Sequence, residues 1–208
     1  MKSYSMVRYK KQIETRFYDY GYRLAQWIHN RFFKKTGKIL DIGCSRGRFA
    51  LGFQKLGYKG YGLDYDAAAI TDAIEKGLKA KVVDMEKNKI PYKDNYFDYV
   101  FMRNFVEHIF NYEHLFLEVK RVLKPKGKLF IITDDYSTRL KGFFNDPTHK
   151  KPYTLETLNR IANFYDFKII YLKRFQHIPY LWRFTLKIFD MRIPWGIQDL
   201  IFVGENVK

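Results

Sequence analysis

The sequence contains a single cysteine, Cys44, among 208 residues. One thiol cannot form a disulfide within the chain, and it cannot supply a cysteine-based metal cluster. Sparing use of cysteine is typical of proteins in a reducing compartment. The cytoplasm is therefore the expected location.

Long apolar runs are lacking as well. Unbroken apolar stretches are only a few residues long, as at 129–132, whereas a membrane-spanning helix needs about 20 residues. The stretch 1–14 carries charge but has neither an apolar core nor a small-residue cleavage site. We therefore expect no membrane span and no secretory signal.

Acidic residues are scarce, since 22 Asp/Glu against 38 Lys/Arg give a formal net charge of +16. The excess lies in the flanks: residues 1–38 hold ten basic and two acidic residues and 138–208 hold twelve and six, whereas 39–137 hold sixteen and fourteen. Basic flanks attract phosphate groups on nucleic acid, a phosphorylated metabolite or an anionic lipid surface. Lysine used only for solubility would give the same composition.

Short apolar segments alternate with helical patterns along most of the chain. The predicted strands are 39–42, 60–63, 80–83, 97–102, 128–133, 167–173 and 199–203, and the predicted helices are 47–56, 66–77, 112–123 and one that begins after Thr154 as its N-cap. This alternation predicts an α/β fold, a doubly wound, Rossmann-like, seven-stranded and mostly parallel sheet with helices on both faces. Ligands of such sheets bind beyond the carboxyl ends of the strands.

A glycine turn follows the first predicted strand. Asp41 ends the strand, and Gly43 and Gly47 stand with three residues between them, so the backbone can approach a ligand at the start of the next helix. A dinucleotide is disfavoured, because Ser45 stands at the place of the middle glycine in G-x-G-x-x-G and the Asp41 carboxylate would repel a diphosphate. Asp41 could instead accept hydrogen bonds from an ammonium group.

Two further acids follow the next two strands. Asp64 comes 23 positions after Asp41, where a carboxylate can accept hydrogen bonds from both hydroxyls of a ribose. Asp84 could accept the exocyclic amine of adenine, and Met85 could lie against its ring. Together with the glycine turn, these acids predict a nucleoside that carries an amino acid as the ligand.

These motifs resemble the class I S-adenosylmethionine-dependent methyltransferases over about residues 37–173. The segments 96–109 and 118–129 resemble the ubiquinone/menaquinone-type branch of that family. The resemblance implies S-adenosyl-L-methionine as cofactor. We expect no metal. The resemblance also implies a set of cofactor-binding residues: Asp41, Gly43, Cys44, Gly47, Asp64, Tyr65, Asp84, Met85, Arg103 and Asn104. Ser45 departs from the commonest glycine of the family's turn.

The chain is long enough for one well-packed domain and short for two. Within a single methyltransferase domain we expect an N-terminal helical cap over the cofactor mouth at 1–37 and a cofactor-binding core at 38–137. The region 138–208 would form the substrate side and contribute the two closing strands.

An oxygen nucleophile usually needs a base, and the candidates are His149, His108 and Asp134, with Asp135 beside the last. His149 lies in a segment, 146–149, that resembles a DPTH sequence following strand five in many of these enzymes. Each candidate has a structural alternative. His149 could stabilise its loop, His108 could pack behind the cofactor loop, and the two aspartates could cap the strand end. The aspartates could also orient a hydroxyl or bind a metal.

The acceptor is expected to be a small molecule or a glycan or lipid precursor, anionic or lipid-linked, that is methylated on oxygen. Methylation of base nitrogens is disfavoured because 102–105 lacks the Asn/Asp-Pro-Pro-aromatic pattern. An RNA methyltransferase that uses the basic flanks and a non-catalytic cofactor-binding scaffold are the alternatives. As a helix, 174–189 could rest on an anionic membrane, cover an apolar pocket, or form a core or dimer contact. The chain is expected to be a monomer or a homodimer.

Overall fold

The computed structural model describes residues 4–140, 142–176 and 198–208. Its centre is a seven-stranded sheet with the strand order β3-β2-β1-β4-β5-β7-β6. The strands are β1 Lys38–Ile42, β2 Lys59–Asp64, β3 Lys79–Val82, β4 Phe97–Arg103, β5 Leu123–Asp134, β6 Phe167–Gln176 and β7 Gln198–Asn206. The helices are α1 Tyr4–Ile28, α2 Arg48–Gln54, α3 Ala67–Glu75, α4 Tyr112–Val122, α5 Tyr136–Arg139 and α6 Leu155–Phe164.

Strands β1 to β5 pair in parallel, and β7 pairs antiparallel with both β5 and β6. The predicted Rossmann-like, mostly parallel sheet is confirmed. Because β1 lies between β2 and β4, the strand order reverses there, and a ligand crevice is expected at the carboxyl ends of these strands.

Both faces of the sheet are buried, because successive side chains of a strand point to opposite sides. In β1, Leu40 and Ile42 belong to a core that contains residues of α4 and α6, whereas Ile39 belongs to a second core that contains residues of α1. The central strands repeat the same alternation, which explains why they read as continuous apolar runs.

The predicted N-terminal helical segment is α1, which continues through a π-helical turn, His29–Phe33. Helix α1 lies against α2 at two glycines, since a β-carbon on Gly52 would come within 2.7 Å of the backbone of Gly21. Ala25 and Ile28 are fully buried. The close crossing places α1 against the helix that directly follows the glycine turn.

The segment 123–127 differs from the prediction. We expected a helix to Leu123 and then a turn, but β5 begins at Leu123, which pairs with Phe97 of β4. The register shifts between Phe97 and Tyr99, and Lys126 has a φ of 61°. Residues 124–127, which we expected to form a turn, therefore lie within β5, and a β-bulge accommodates them there.

The remaining local predictions fall in the last third of the chain. Thr154 caps α6, and its side chain accepts a hydrogen bond from the backbone N–H of Thr157 at 3.1 Å. Both closing strands are present and longer than predicted. The helix expected at 174–189 is wrong at its start, because 174–176 continue β6; its remaining positions lie outside the described residues. In the part of the chain that the structure describes, no helix has the length and apolar character needed to cross a membrane.

Candidate cofactor-binding and active site

A cleft of about 860 Å³ opens at the carboxyl ends of β1 to β4. Most of its lining residues directly follow a strand, as the fold requires. They are Gly43, Ser45, Leu63, Asp64, Tyr65, Asp66, Val83, Asp84, Met85, Glu86, Lys87, Asn104, Phe105, His108, Ile109, Pro147, Thr148 and Lys150. Six of the ten predicted cofactor residues are among them: Gly43, Asp64, Tyr65, Asp84, Met85 and Asn104.

The glycine turn is held against β2 and against the segment that follows β4. The N–H groups of Gly43 and Cys44 both donate to the carbonyl of Leu63, at 2.8 and 3.0 Å. Gly43 has a φ of 77°, and a β-carbon added there would overlap the ring of Phe105. Only glycine fits this position, because both its backbone conformation and its surroundings exclude a side chain.

Asp64 links the turn to β2. Its Oδ2 accepts a hydrogen bond from the N–H of Ser45 at 2.7 Å, and its Oδ1 accepts one from the N–H of Asp66 at 3.0 Å. The N–H of Gly47 donates to the carbonyl of Cys44 at 2.8 Å. Several amides of the turn are thus used within the protein, which agrees with the expectation that no diphosphate binds there.

Ser45 adopts the left-handed backbone conformation, with a φ of 47°. This conformation costs an L-residue about 1–2 kcal/mol, whereas glycine adopts it freely. The geometry explains why glycine is the commonest residue at this place in the family that the turn resembles.

The variant Ser45→Gly is expected to be more stable by about 0.5–1 kcal/mol, because removal of the backbone strain outweighs the extra freedom of glycine in the unfolded chain. Urea denaturation would measure the difference. The control Ser45→Ala keeps the strained φ and should show no gain. A loss of stability in Ser45→Gly would contradict the strain argument.

Asp84 and Met85 follow β3. The Oδ1 of Asp84 accepts a hydrogen bond from the N–H of Glu86 at 3.0 Å, and Lys87 pairs with its Oδ2 at 3.1 Å. The Glu86 N–H and then Lys87 hold the pKa of Asp84 below its ordinary value, so this carboxylate is ionised. Met85 is buried and presents only a small surface to the cleft, whereas Tyr65 at the rim is 78% exposed.

Asp41 and Cys44 lie beneath the cleft. The Oδ2 of Asp41 accepts a hydrogen bond from the N–H of Ala50 at 3.2 Å, and burial raises the pKa of this carboxyl. The thiol of Cys44 packs with Ile70 and Ala73 of α3, and burial raises its pKa. The predicted contact of Asp41 with an ammonium group stays a prediction. Cys44 contributes its backbone to the glycine turn, while its side chain is buried.

Arg103 is the last residue of β4 and Asn104 follows it, but the two residues have different surroundings. A guanidinium N–H of Arg103 donates to the hydroxyl of Tyr20 in α1 at 2.6 Å, so this side chain joins the strand end to the helix. Asn104 has a φ of 47°, donates its N–H to the carbonyl of Ile132, and lines the cleft. Gly47 is the N-cap of α2 and does not line the cleft.

The two candidate histidines lie together beside the cleft. Their ring centroids are 4.8 Å apart. The Nδ1 of His108 lies 2.9 Å from the hydroxyl and 3.2 Å from the carbonyl oxygen of Thr148. The Nδ1 of His149 lies 2.7 Å from the carbonyl oxygen of Phe143. Because carbonyl oxygens only accept, each Nδ1 carries the proton in the neutral ring, and each Nε2 has a free lone pair.

Glu107, which the sequence prediction did not single out, completes this cluster. One ligand atom each from Glu107, His108 and His149 lie within 4.8 Å of one another. The Oε2 of Glu107 accepts a hydrogen bond from the Thr133 hydroxyl at 2.9 Å, but its buried Oε1 has no hydrogen-bond partner. Burial raises the pKa of this carboxyl to about 7.

Asp134 lies apart from the cleft wall. Its Oδ2 pairs with Arg139 at 2.6 Å. Burial raises the pKa of Asp134, and Arg139 opposes the rise. Asp135 caps α5 and pairs with Arg174 at 2.5 Å. Both carboxylates thus have structural partners, which favours the capping alternative over a role as the base.

The protein is a member of a methyltransferase family. The sequence model of the family Methyltransf_23, a methyltransferase domain, matches residues 13–172. The fold and the cleft described above agree with this assignment. The protein is a class I methyltransferase that depends on S-adenosylmethionine.

The relatives support the same class. An uncharacterised protein of Methanocaldococcus jannaschii is 30% identical over 77% of this chain and 68% of its own length. The crystal structure of a SAM-dependent methyltransferase from Archaeoglobus fulgidus is similar with a TM-score of 0.72 at 26% identity, over 95% of this chain and 99% of that one. Phosphoethanolamine N-methyltransferase 2 of Caenorhabditis elegans is 30% identical, but the match spans only 69% of this chain and 35% of that protein.

The cleft fits the cofactor. Gly43, Asp64, Asp84 and Met85 all line the cleft. A β-carbon at Gly43 would overlap the ring of Phe105, which also lines the cleft. Asp64 would hold the ribose, and Asp84 with Met85 would hold the base.

Proposed function

We propose that this methyltransferase acts on an oxygen of a small anionic or lipid-linked acceptor, a glycan or lipid precursor, in the cytoplasm. The observation that carries the proposal is the position of the histidine pair. His108 lines the same cleft as Asp64, and the Nε2 of neither His108 nor His149 accepts a hydrogen bond from the residues that the structure describes.

The bound cofactor supplies a methyl group on a sulfonium, which is already activated for transfer. The residues of the chain have to orient the acceptor, exclude water and remove a proton from its hydroxyl. Phe105 and Ile109 give the cleft an apolar wall beside His108. Within reach of the histidine pair, an acceptor hydroxyl can lose its proton.

The anionic character of the acceptor is supported by one relative. The Caenorhabditis elegans relative is named for a phosphorylated amine. Lys87 and Lys150 at the cleft wall are paired with Asp84 and Glu86. That relative is named as an N-methyltransferase, so the choice of oxygen rests on the histidine pair. The proposed place in the ubiquinone/menaquinone-type branch rests on the segments 96–109 and 118–129.

Transfer of a radiolabelled methyl group tests the proposal. We expect incorporation into a phosphorylated sugar or an isoprenoid-linked acceptor, and at least a 100-fold loss in His108→Ala with little change in cofactor affinity. This loss is in the range of general acid–base contributions, about 10²–10⁴-fold. The control His114→Ala removes a histidine that binds the Asn88 carbonyl, outside the cleft, and should retain activity. Methyl transfer to RNA, or an active His108→Ala, would overturn the proposal.

A further inference from the structure

We propose that Glu107, His108 and His149 form a binding site for one divalent transition-metal ion, at which the acceptor oxygen would bind. The role of the ion in methyl transfer rests on the proposed function, whereas its binding does not. This inference departs from the expectation of no metal.

The donor set is suited to such an ion. Two imidazole nitrogens and one carboxylate oxygen are typical ligands of zinc and of other first-row divalent ions. A zinc site with three protein ligands keeps its fourth position open for water or substrate. One ligand atom from each of the three residues already lies within 4.8 Å of the others. Ligands that share a zinc ion are about 3.3 Å apart, so side-chain shifts of about 1 Å would complete the site.

The hydrogen bonds around the histidines are those of metal ligands. A metal-binding histidine usually donates its other ring N–H to a carbonyl or a carboxylate, which fixes the ring and directs its lone pair. His149 has the Phe143 carbonyl as its Nδ1 partner, and His108 has the Thr148 carbonyl. Both Nδ1–H groups therefore have an acceptor, which leaves a lone pair on each Nε2 for an ion. The Nε2 of His149 lies 3.9 Å from Oδ2 of Asp146.

The carboxylate supplies the second, independent observation. Glu107 has no exposed surface, and its Oε1 has no hydrogen-bond partner among the described residues, while the Thr133 hydroxyl holds its Oε2. A buried carboxylate oxygen without a partner is costly. A bound cation would satisfy this oxygen, as the histidines alone do not.

The loop that carries His149 is attached to the turn that carries Glu107. The backbone N–H groups of Lys150 and Lys151 both donate to the Glu107 carbonyl, at 2.8 and 3.1 Å. The carboxylate of Asp146 accepts from the N–H and the hydroxyl of Thr148, at 2.8 and 2.6 Å. These bonds hold the three ligand residues in place before an ion binds, so little chain has to be ordered on binding.

A metal ion at this position would make the acceptor hydroxyl easier to deprotonate. His108 lines the cofactor cleft, so an acceptor bound in the cleft would lie next to one ligand of the ion. A divalent ion lowers the pKa of a bound hydroxyl or water. The ion would then take the place of the histidine base of the proposed function, because both Nε2 lone pairs would be bound to it. The acceptor hydroxyl would release its proton to solvent near neutral pH.

Metal binding is tested on the full chain without cofactor or acceptor. After removal of bound metal with a chelator, titration with Zn²⁺ or Co²⁺ should show one ion per chain, and Co²⁺ should give visible absorption bands. Glu107→Gln keeps the shape of the side chain and its contact with Thr133 but removes the negative charge. His149→Asn removes one imidazole ligand. Each should weaken binding at least about 10-fold. His114→Asn should bind as the unaltered protein does.

The outcomes separate the two proposals. Circular dichroism and S-adenosylmethionine binding show whether each variant is folded, and His149→Asn decides the question if Glu107→Gln does not fold. Equal metal binding in the unaltered protein and in both ligand variants would overturn the site, as would absence of binding in the unaltered protein. Metal binding that both ligand variants weaken, together with an inactive acceptor screen, would support the site and count against the proposed acceptor.

Discussion

Asp64→Ala is expected to weaken S-adenosylmethionine binding about 100-fold, which corresponds to about 2.7 kcal/mol. Two effects add. The ribose hydroxyls lose a charged acceptor, and a hydrogen bond to a charged group contributes about 1.5–3 kcal/mol. The N–H of Ser45 also loses its partner, so the glycine turn is less well fixed. Calorimetric titration measures the affinity directly.

Two further variants sharpen this test. Asp64→Asn keeps one acceptor oxygen but loses the charge, and should lie between the alanine variant and the original protein. Asp94→Asn removes a carboxylate that pairs with Arg121 outside the cleft, and should leave the affinity unchanged. Full affinity in Asp64→Ala would show that the ribose binds elsewhere.

Gly43→Ala is expected to destabilise the protein by about 2–5 kcal/mol and to impair cofactor binding. The left-handed conformation at φ 77° costs alanine about 1–2 kcal/mol. The added methyl group also overlaps the Phe105 ring, and overpacking of this kind costs about 1–3 kcal/mol. Chemical denaturation and cofactor titration measure the two effects separately.

A second glycine separates backbone strain from the steric clash. Gly77 has a φ of 87°, but a β-carbon there meets nothing within 4 Å. Gly77→Ala should therefore show only the conformational cost, about 1–2 kcal/mol, with normal cofactor binding. The double variant Gly43→Ala/Phe105→Ala should recover part of the lost affinity. If Gly43→Ala and Gly77→Ala behave alike, the Phe105 contact has no role in binding.

The sheet could be predicted because each of its central strands leaves a pattern in a few consecutive residues of the sequence. Each central strand is a short apolar run, and parallel strands buried on both faces leave that pattern in the sequence. The start of β5 could not be predicted. Leu123 is extended because Phe97 lies beside it, and a pairing partner 26 positions away leaves no local pattern.

The same distinction applies to the site. Asp64 and Asp84 could be found because acids at successive strand ends meet at one edge of a parallel sheet. Glu107 could not, because its importance comes from contacts with Thr133 and with a loop more than 40 positions away. For Asp134, the position at a strand end was informative, but its ion pair with Arg139 depends on the chain path after β5.

The pairing of β6 with β7 has a consequence for how this enzyme can diverge. Gln176 and Gln198 are cross-strand neighbours, and Asp199 pairs with Asp134 at the carboxyl end of β5. The last residue of β6 and the first of β7 therefore lie side by side, at the edge of the sheet where β5 also ends. Doubling the length of a loop that joins two such neighbouring ends costs only about 0.6 kcal/mol in closure entropy. Changes in chain length between these two strands are therefore expected to leave the cofactor half of the sheet unaltered.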